Sequence, residues 1–421
     1  MTNNTFFEER NVVKHGSVGV VALAAMAGVL CAQAPAPSAS SRPDPKEIPV
    51  PAIRTSMPPM AGVDRLPSRP AMPDVLTMNS GQKVKTAAQW RQRREEMKRI
   101  LEYYAVGQAP PAPGNVKGRE VISQLLMNGQ VKYRLVHLTF GPKESLSLGG
   151  APGSGRGAFG GPRTAESIAQ NNPALAHGFA FVTFNNNDCG EDTTLRNPDG
   201  SWAFRTTRFY PAYPNYDWGL LQGWAWGVSR IVDYLETDSS IDNTKLIVTG
   251  VSRTGKSALF AGAFDERLAM VAPVASSGGG TPAYRFSGAE RGGKEGLTEM
   301  MRKYPNWFSP HLHEFWGQPD KLPFDEHWLI ALVAPRPFLA LEGTDDQNVN
   351  ANGVRQSWVG AQPAYALFHV ADRLGVSWAD RPHGIVQGDW DALLAFADKY
   401  LLGKALTRRF DAFPAELFQG P

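Results

Sequence analysis

Short apolar runs alternate with longer helical segments through the second half of the chain. The runs are four to six residues long and rich in Val, Ile, Phe and Ala. Continuous apolar runs of this length are typical of strands buried on both faces of a parallel sheet. The predicted strands are Phe179 to Phe184, Lys245 to Thr249, Met270 to Val274, Phe338 to Leu341 and Val376 to Ala379. This alternation predicts an α/β fold with a mostly parallel central sheet.

The first eighty residues have a different composition. Arg10 and Lys14 precede the apolar run Val18 to Leu30, and Ala32-Gln33-Ala34 resembles a signal-peptidase site. The run is too short and too rich in alanine for a membrane-spanning helix. We therefore predict a signal peptide over residues 1–34, a Pro-rich linker or N-terminal arm over 35–80 and a catalytic domain over 81–421. A signal peptide of this kind indicates a secreted or periplasmic protein that is free of the membrane after cleavage.

Ser252 lies where a predicted strand runs directly into a predicted helix of small residues. The turn reads Gly-Val-Ser-Arg-Thr-Gly-Lys over residues 250–256. A serine in such a turn projects its oxygen beside the N-terminus of a helix, which favours a nucleophile. The turn resembles the G-x-S-x-G nucleophile elbow of the α/β-hydrolases. The second glycine comes one residue late, and Thr254 occupies its usual position.

The same turn also resembles the nucleophile motif of one family, the glucuronoyl esterases (carbohydrate esterase family 15). Other motifs from about Trp202 onward fit this family in the right order, namely those at residues 224–230, 262–267, 322–327 and 334–337. The resemblance implies an α/β-hydrolase fold, a three-layer αβα sandwich. It also implies a serine esterase that hydrolyses esters of (4-O-methyl-)glucuronic acid, as in lignin–glucuronoxylan linkages, through an acyl-enzyme.

A serine nucleophile needs a histidine base and an acid that orients it, and in α/β-hydrolases the chain order is Ser, acid, His. His383 follows the last predicted strand and precedes a predicted helix. Asp345 and Asp346 both follow the penultimate strand, and the spacing favours Asp346. Many relatives instead place a Glu after the strand that follows the elbow, but this chain has Ala275 there.

The resemblance implies roles for three further residues. Arg253 follows the nucleophile, and its backbone N–H and guanidinium are expected at the oxyanion. The alternative for its side chain is that it braces a loop carboxylate. Lys256 and Glu295 match family residues that contact sugar hydroxyls. Where relatives carry a Trp shortly after the acid, this chain has Asn348, so a stacking contact is lost.

The segment around residues 141–162 departs from the family pattern. A glycine-rich loop, residues 149–161, corresponds to the loop that completes the oxyanion hole in such hydrolases. Only Ser145–Leu148 precedes it, where a buried strand is expected. Either this short segment joins the sheet or the sheet is one strand short.

Composition excludes several other functions. The chain has 43 Lys and Arg against 40 Asp and Glu, a net charge of +3 that does not indicate nucleic-acid binding. His311 and His313 lack a convincing set of partner ligands, so we expect no metal and no cofactor. Cleavage of the signal would leave Cys189 as the only cysteine, so the mature chain could form no internal disulfide. Separately, we expect a monomer. The alternatives left open are a carbohydrate acetyl esterase, a broad carboxylesterase and a non-catalytic carbohydrate-binding protein on a decayed esterase fold.

Overall fold

A six-stranded parallel sheet forms the centre of the fold. The structure, a computed structural model, describes residues 18–23, 60–149, 164–288, 295–406 and 408–418. Every neighbouring pair of strands in the sheet is parallel. Across the sheet, the order is β5 (Phe179–Val182), β1 (Val18–Leu23), β6 (Asp242–Val251), β7 (Met270–Val274), β8 (Phe338–Gly343) and β9 (Leu374–Ala379). Five of these six strands are the ones that the apolar pattern predicts.

Helices cover both faces of this sheet. Successive strand residues face opposite sides, so Val248 packs in one core and its neighbour Ile247 in the other. The Val248 side holds α4 (Leu220–Leu235), α5 (Arg253–Phe264), α7 (His327–Val333) and α8 (Ala351–Leu367). The Ile247 side holds α3 (Pro173–Ala176) and α9 (Gln387–Leu402). The expected three-layer αβα arrangement is confirmed.

The remaining elements lie outside these three layers. Thr86 caps α1 (Ala87–Leu101) by accepting a hydrogen bond from the backbone N–H of Gln89 at 3.2 Å. An antiparallel sheet contains β2 (Lys117–Leu126), β3 (Val131–Phe140) and β4 (Leu146–Leu148). The two other helices are α2 (Ala165–Asn171) and α6 (Leu297–Lys303).

The predicted arm packs against the rest of the chain from residue 60 onward. Val75 is buried, and the carbonyl of Pro73 accepts a hydrogen bond from Nε2 of His327 at 2.7 Å. The carbonyl of Arg69 accepts another from Nε of Arg285 at 3.0 Å. Residues 35–59 of the predicted arm lie outside the described residues. Among those that are described, we find no helix with the length and apolar character needed to cross a bilayer.

The main sheet contains a strand, β1, that was not predicted from the sequence. Leu146–Leu148 pairs with β3 in the antiparallel sheet and does not join the main sheet. The position between β5 and β6 is instead filled by β1, with Val20 aligned to Phe181 on one side and to Ile247 on the other. This strand, Val18–Leu23, lies within residues 1–34, the predicted signal peptide. The signal peptide itself stays a prediction. Cleavage after residue 34 would remove the strand, so the two uses of the segment exclude one another in a mature chain.

Removal of β1 should destabilise the protein. A chain that begins at residue 35 leaves the facing edges of β5 and β6 without backbone partners, and exposed strand edges also promote association. We expect this chain to unfold at a lower temperature and to aggregate more than a matched control that begins at residue 17 and keeps β1. Thermal unfolding and light scattering measure both effects. Equal unfolding temperatures would show that the sheet does not need β1 and that export with cleavage is compatible with the fold.

Candidate active site

Ser252 occupies a sharp turn between β6 and α5. Its backbone has φ 59° and ψ −122°, a conformation that costs a non-glycine residue about 1–3 kcal/mol. Its N–H donates to the carbonyl of Val274 at 3.0 Å, and its own carbonyl accepts from the N–H of Lys256 at 3.0 Å. These bonds fix the turn to β7 and to the first turn of α5. The serine side chain therefore lies at the N-terminal end of a helix, at the carboxyl edge of the sheet.

Thr254 and Gly255 explain how this turn closes despite its departure from G-x-S-x-G. The Thr254 hydroxyl accepts from the N–H of Val251 at 3.0 Å and donates to the Val251 carbonyl at 2.8 Å. A side chain at residue 255 would approach the carbonyl oxygens of Val274 and Gly250 at 2.8 and 2.9 Å, which only glycine avoids. The threonine thus ties off the turn, and the late glycine provides the close helix–strand contact.

His383 and Asp346 meet at the same edge. Nδ1 of His383 lies 2.8 Å from Oδ2 of Asp346, whose side chain is fully buried, whereas a third of the His383 side chain is exposed. The other carboxylate oxygen of Asp346 accepts from the N–H of Asn348 at 2.9 Å. Asp345 is exposed, and its N–H donates to the Arg381 carbonyl at 3.2 Å. Of the two candidate acids, the structure therefore places Asp346 against the histidine.

A buried ion pair anchors the loop that carries His383. Arg381 bonds both carboxylate oxygens of Asp389, at 2.6 and 3.1 Å, and its Nη2 donates to the carbonyl of Leu341 at 3.2 Å. Such a bidentate pair fixes both position and angle. A side chain at Gly343 would lie 2.5 Å from the Arg381 carbonyl oxygen, so the loop passes directly over the end of β8.

The guanidinium of Arg253 pairs with a loop carboxylate. Its Nη1 donates to Oδ2 of Asp192, and Oδ1 of Asp192 accepts from the indole Nε1 of Trp307 at 2.7 Å. About two fifths of the Arg253 side chain is exposed. The bracing contact considered as an alternative from sequence is thus present. Because a single guanidinium nitrogen makes this bond, the contact leaves other donors for a substrate.

Lys256 lies almost fully buried beside the turn. Its Nζ donates to the hydroxyl of Ser277 at 2.9 Å, and that hydroxyl donates to Oε2 of Glu295 at 2.6 Å. Nζ and Oε2 are 3.8 Å apart. Burial lowers the pKa of Lys256 to about 8, although the Glu295 carboxylate opposes this shift. The structure therefore brings together the two residues that the resemblance assigns to sugar hydroxyls, with Ser277 between them.

The end of β7 supplies no acid. Ala275 is fully buried with φ 46°, and its N–H donates to the Leu341 carbonyl at 2.8 Å. The nearest buried carboxyl on β8 is Glu342, which accepts from the hydroxyl of Thr281 at 2.5 Å. Burial raises the pKa of Glu342 to about 8, which favours its protonated form. The carboxylate that contacts His383 is therefore on the loop after β8, at Asp346.

Several residues around this site were not predicted from the sequence. Asp192, Ser277 and Trp307 each contact a predicted site residue or one of its partners. Asp192 could have been flagged because it follows a strand at the carboxyl edge, where ligands bind in α/β sheets. Nothing local singles out Ser277 or Trp307. Residues 150–161 of the predicted glycine-rich oxyanion loop, which was placed at residues 149–161, lie outside the described residues.

The fold and this arrangement define a serine hydrolase of the α/β-hydrolase class. A strained serine follows the elbow strand, an acid follows a later strand and a histidine follows the last, in the order of that class.

Comparison with known proteins gives the family. A family model for the glucuronyl esterase of fungi matches residues 163–369. The 4-O-methyl-glucuronoyl methylesterase of Schizophyllum commune is 31% identical over 353 residues, which cover 81% of this chain and 85% of that protein. The family 15 glucuronoyl esterase of Caldicellulosiruptor kristjansonii is 30% identical with a TM-score of 0.67, covering 82% of this chain and 93% of that one.

A glucuronoyl esterase from Sporotrichum thermophile is also similar, at 26% identity and a TM-score of 0.63. The comparison covers 84% of this chain and 95% of that one, whose structure contains methyl 4-O-methyl-beta-D-glucopyranuronate. The chain belongs to the glucuronoyl esterases of carbohydrate esterase family 15. The resemblance expected from the sequence motifs is confirmed.

The contact between His383 and Asp346 should control how fast Ser252 reacts with a fluorophosphonate. Replacing a triad acid with its amide places the histidine in the wrong tautomer and costs about ten-thousandfold in a model protease. We expect Asp346→Asn to slow labelling by roughly that order. Asp345→Asn, the matched control, should stay within about threefold of wild type because its side chain is exposed.

Peptide mapping of the labelled protein should place the adduct on Ser252, and Ser252→Ala should remain unlabelled. The assignment of the acid would be wrong by one residue if Asp345→Asn were the slow variant. If neither change slowed labelling, His383 would be oriented by another group.

Proposed function

We propose that this protein hydrolyses esters of (4-O-methyl-)glucuronic acid through a covalent acyl-enzyme. The observation that carries the proposal is the Asp346–His383 hydrogen bond at the sheet edge that also presents Ser252 in a strained elbow. Membership of the glucuronoyl esterase family supports the choice of substrate, because the similar proteins are named for this activity. No cofactor is needed for acyl transfer of this kind.

In the proposed reaction, Nε2 of His383 takes the proton from Oγ of Ser252 as that oxygen attacks the ester carbonyl carbon. Asp346 accepts from Nδ1 and stabilises the imidazolium that forms. The tetrahedral intermediate collapses as His383 returns the proton to the leaving alcohol. A water molecule, deprotonated by the same histidine, then attacks the carbonyl carbon of the glucuronoyl–Ser252 ester. As this second intermediate collapses, the bond to Oγ breaks, His383 returns the proton to Oγ of Ser252, and the glucuronic acid leaves.

Arg253 is proposed to stabilise the negative charge that develops on the carbonyl oxygen. Its backbone N–H follows the nucleophile directly, and its half-exposed guanidinium retains unused donors. The esterified carboxyl group is neutral in the ground state. A cation at this position therefore contributes mainly in the transition state, which raises the rate of the chemical step more than the affinity for the ester.

Lys256 and Glu295 are proposed to bind ring hydroxyls of the uronate. They lie in one hydrogen-bonded chain with Ser277, so the pair presents a donor and an acceptor together. Hydroxyl groups of a sugar both donate and accept, and such a pair can satisfy them at once. The corresponding aromatic contact of relatives is absent at Asn348, so polar contacts carry more of the recognition here.

The proposed substrate has a cellular consequence. An ester between glucuronoxylan and lignin is part of a polymer, which an enzyme meets only outside the cell. The basic residues, apolar run and A-x-A-like site of residues 1–34 support export, although β1 uses part of the same segment. We propose a secreted or periplasmic location on this ground, and a monomeric state stays a prediction.

Benzyl glucuronate is the substrate that tests the proposal. We expect the protein to release benzyl alcohol and glucuronate from it with a kcat/KM far above that for an acetylated xylo-oligosaccharide. Ser252→Ala should lower kcat by roughly a millionfold, the loss seen when a triad nucleophile is removed from a model protease. Rates are followed by chromatography of the released acid. Faster cleavage of the acetyl ester would instead identify an acetyl esterase, and no turnover of either ester would favour a carbohydrate-binding protein.

A further inference from the structure

Asp192 is a partly buried carboxylate that the proposed mechanism does not use. It lies in the loop that follows β5, and only about a sixth of its side chain is exposed. Oδ2 accepts from Nη1 of Arg253, and Oδ1 accepts from the indole of Trp307 at 2.7 Å. Both oxygens therefore accept a hydrogen bond, and the donor to Oδ2 is Arg253, the cation next to the proposed nucleophile. A carboxylate so placed fixes the direction of the guanidinium.

The rest of the Arg253 side chain has a restricted setting. Its guanidinium carbon lies 5.3 Å from the centroid of the Trp307 ring and 5.9 Å from that of Tyr304. These two rings stack on each other at 3.9 Å with planes 7° apart. Within the described residues, no group bonds Nε or Nη2 of Arg253. Asp192 therefore holds Nη1, and the guanidinium lies beside the two aromatic rings. Nε and Nη2 remain available to a substrate.

Holding Arg253 in advance has a kinetic value. Ordering a long arginine side chain costs up to about 2 kcal/mol of rotamer entropy. If this ordering took place only as the oxyanion formed, it would add to the barrier, whereas a side chain already in position adds nothing. Asp192 also offsets part of the positive charge. Its benefit therefore lies in orientation and not in attraction for the substrate.

We propose that Asp192 is a positioning residue that holds Arg253 in the orientation needed at the oxyanion. The inference deepens the proposed function and rests on it. It predicts that loss of the Asp192 carboxylate lowers kcat and leaves KM almost unchanged. It also predicts that the effect passes through Arg253 alone.

The loop around Asp192 has other anchors, which provide a control. The N–H of Asp192 donates to Oδ1 of Asn187 at 3.1 Å. Nδ2 of Asn306 donates to the carbonyl of Thr193 at 2.8 Å, so this bond ties the loop to the Trp307 segment without contacting Arg253. We therefore expect Asn306→Ala to loosen the loop without removing the carboxylate–guanidinium pair.

A double-mutant cycle between Asp192→Asn and Arg253→Ala tests the inference with benzyl glucuronate. Asparagine keeps an acceptor for the Trp307 indole but loses the charge that holds Arg253. We expect Asp192→Asn to lower kcat by roughly tenfold, within the loss that misplacing a catalytic group causes. Its effect on KM should stay within about twofold, because the proposed contact acts in the transition state. Arg253→Ala should lower kcat by roughly a hundredfold, and adding Asp192→Asn to it should change kcat by less than about twofold.

Asn306→Ala should retain kcat within about twofold of wild type, since it leaves the pair in place. Thermal unfolding confirms that each variant is folded. Should Asp192→Asn fail to fold, Asp192→Glu replaces it, because the longer side chain displaces the guanidinium while keeping the charge. The same loss of kcat is then expected.

Three results would overturn the inference. Asp192→Asn could leave kcat unchanged, it could lower kcat equally in the Arg253→Ala background, or Asn306→Ala could lower kcat as much. The same cycle, run on the rate at which a fluorophosphonate labels Ser252, needs no glucuronoyl substrate. A protein that fails to cleave benzyl glucuronate contradicts the proposed function, and the labelling cycle still decides the role of Asp192.

Discussion

The turn at Ser252 is the constraint on which the rest of the site depends. Its positive φ costs about 1–3 kcal/mol, and surrounding contacts must hold it in place. The Ser252 N–H is bonded to β7, the Thr254 hydroxyl closes the turn on Val251, and Gly255 lets the helix approach the strand. Together these contacts direct the serine oxygen out of the sheet edge, beside the N-terminus of α5. A relaxed turn would direct the same side chain elsewhere and remove the proposed nucleophile from this edge.

Around this turn, polar contacts join loops that are far apart in the chain. Asp346 orients the His383 ring, and the Arg381–Asp389 pair anchors the His383 loop over β8. Asp192 holds Arg253 from the loop after β5. Charged hydrogen bonds of this kind have a defined length and angle, which apolar contacts lack. The site thus follows the general logic of α/β sheets, in which a rigid parallel core presents chemistry through the loops at its carboxyl edge.

The sequence pattern predicted those elements whose structure is determined by residues adjacent in the chain. The strands β5 to β9 are short apolar runs because both sheet faces are buried, and the elbow combines a strand, glycines and a helix in adjacent residues. The preference for Asp346 over Asp345 came from spacing, and the structure agrees with it because Asp346 is buried and Asp345 is exposed. The β1 position and the Asp192–Arg253 pair could not be read in this way. Each depends on segments that the tertiary fold brings together. β1 and β5 are about 160 residues apart in the sequence, and Asp192 and Arg253 are about 60 apart.

Covalent catalysis by Ser252 requires that the glucuronoyl group is carried on this serine before water releases it. The most direct test is the partition of products in a fixed concentration of ethanol, measured at initial rate with benzyl and allyl glucuronate. Both esters form the same acyl-enzyme once their alcohol has left. Covalent catalysis by Ser252 therefore predicts the same ratio of ethyl glucuronate to free glucuronate from both esters. A ratio that differs between the two esters would show that the alcohol is still present when water attacks, and this would contradict covalent catalysis by Ser252.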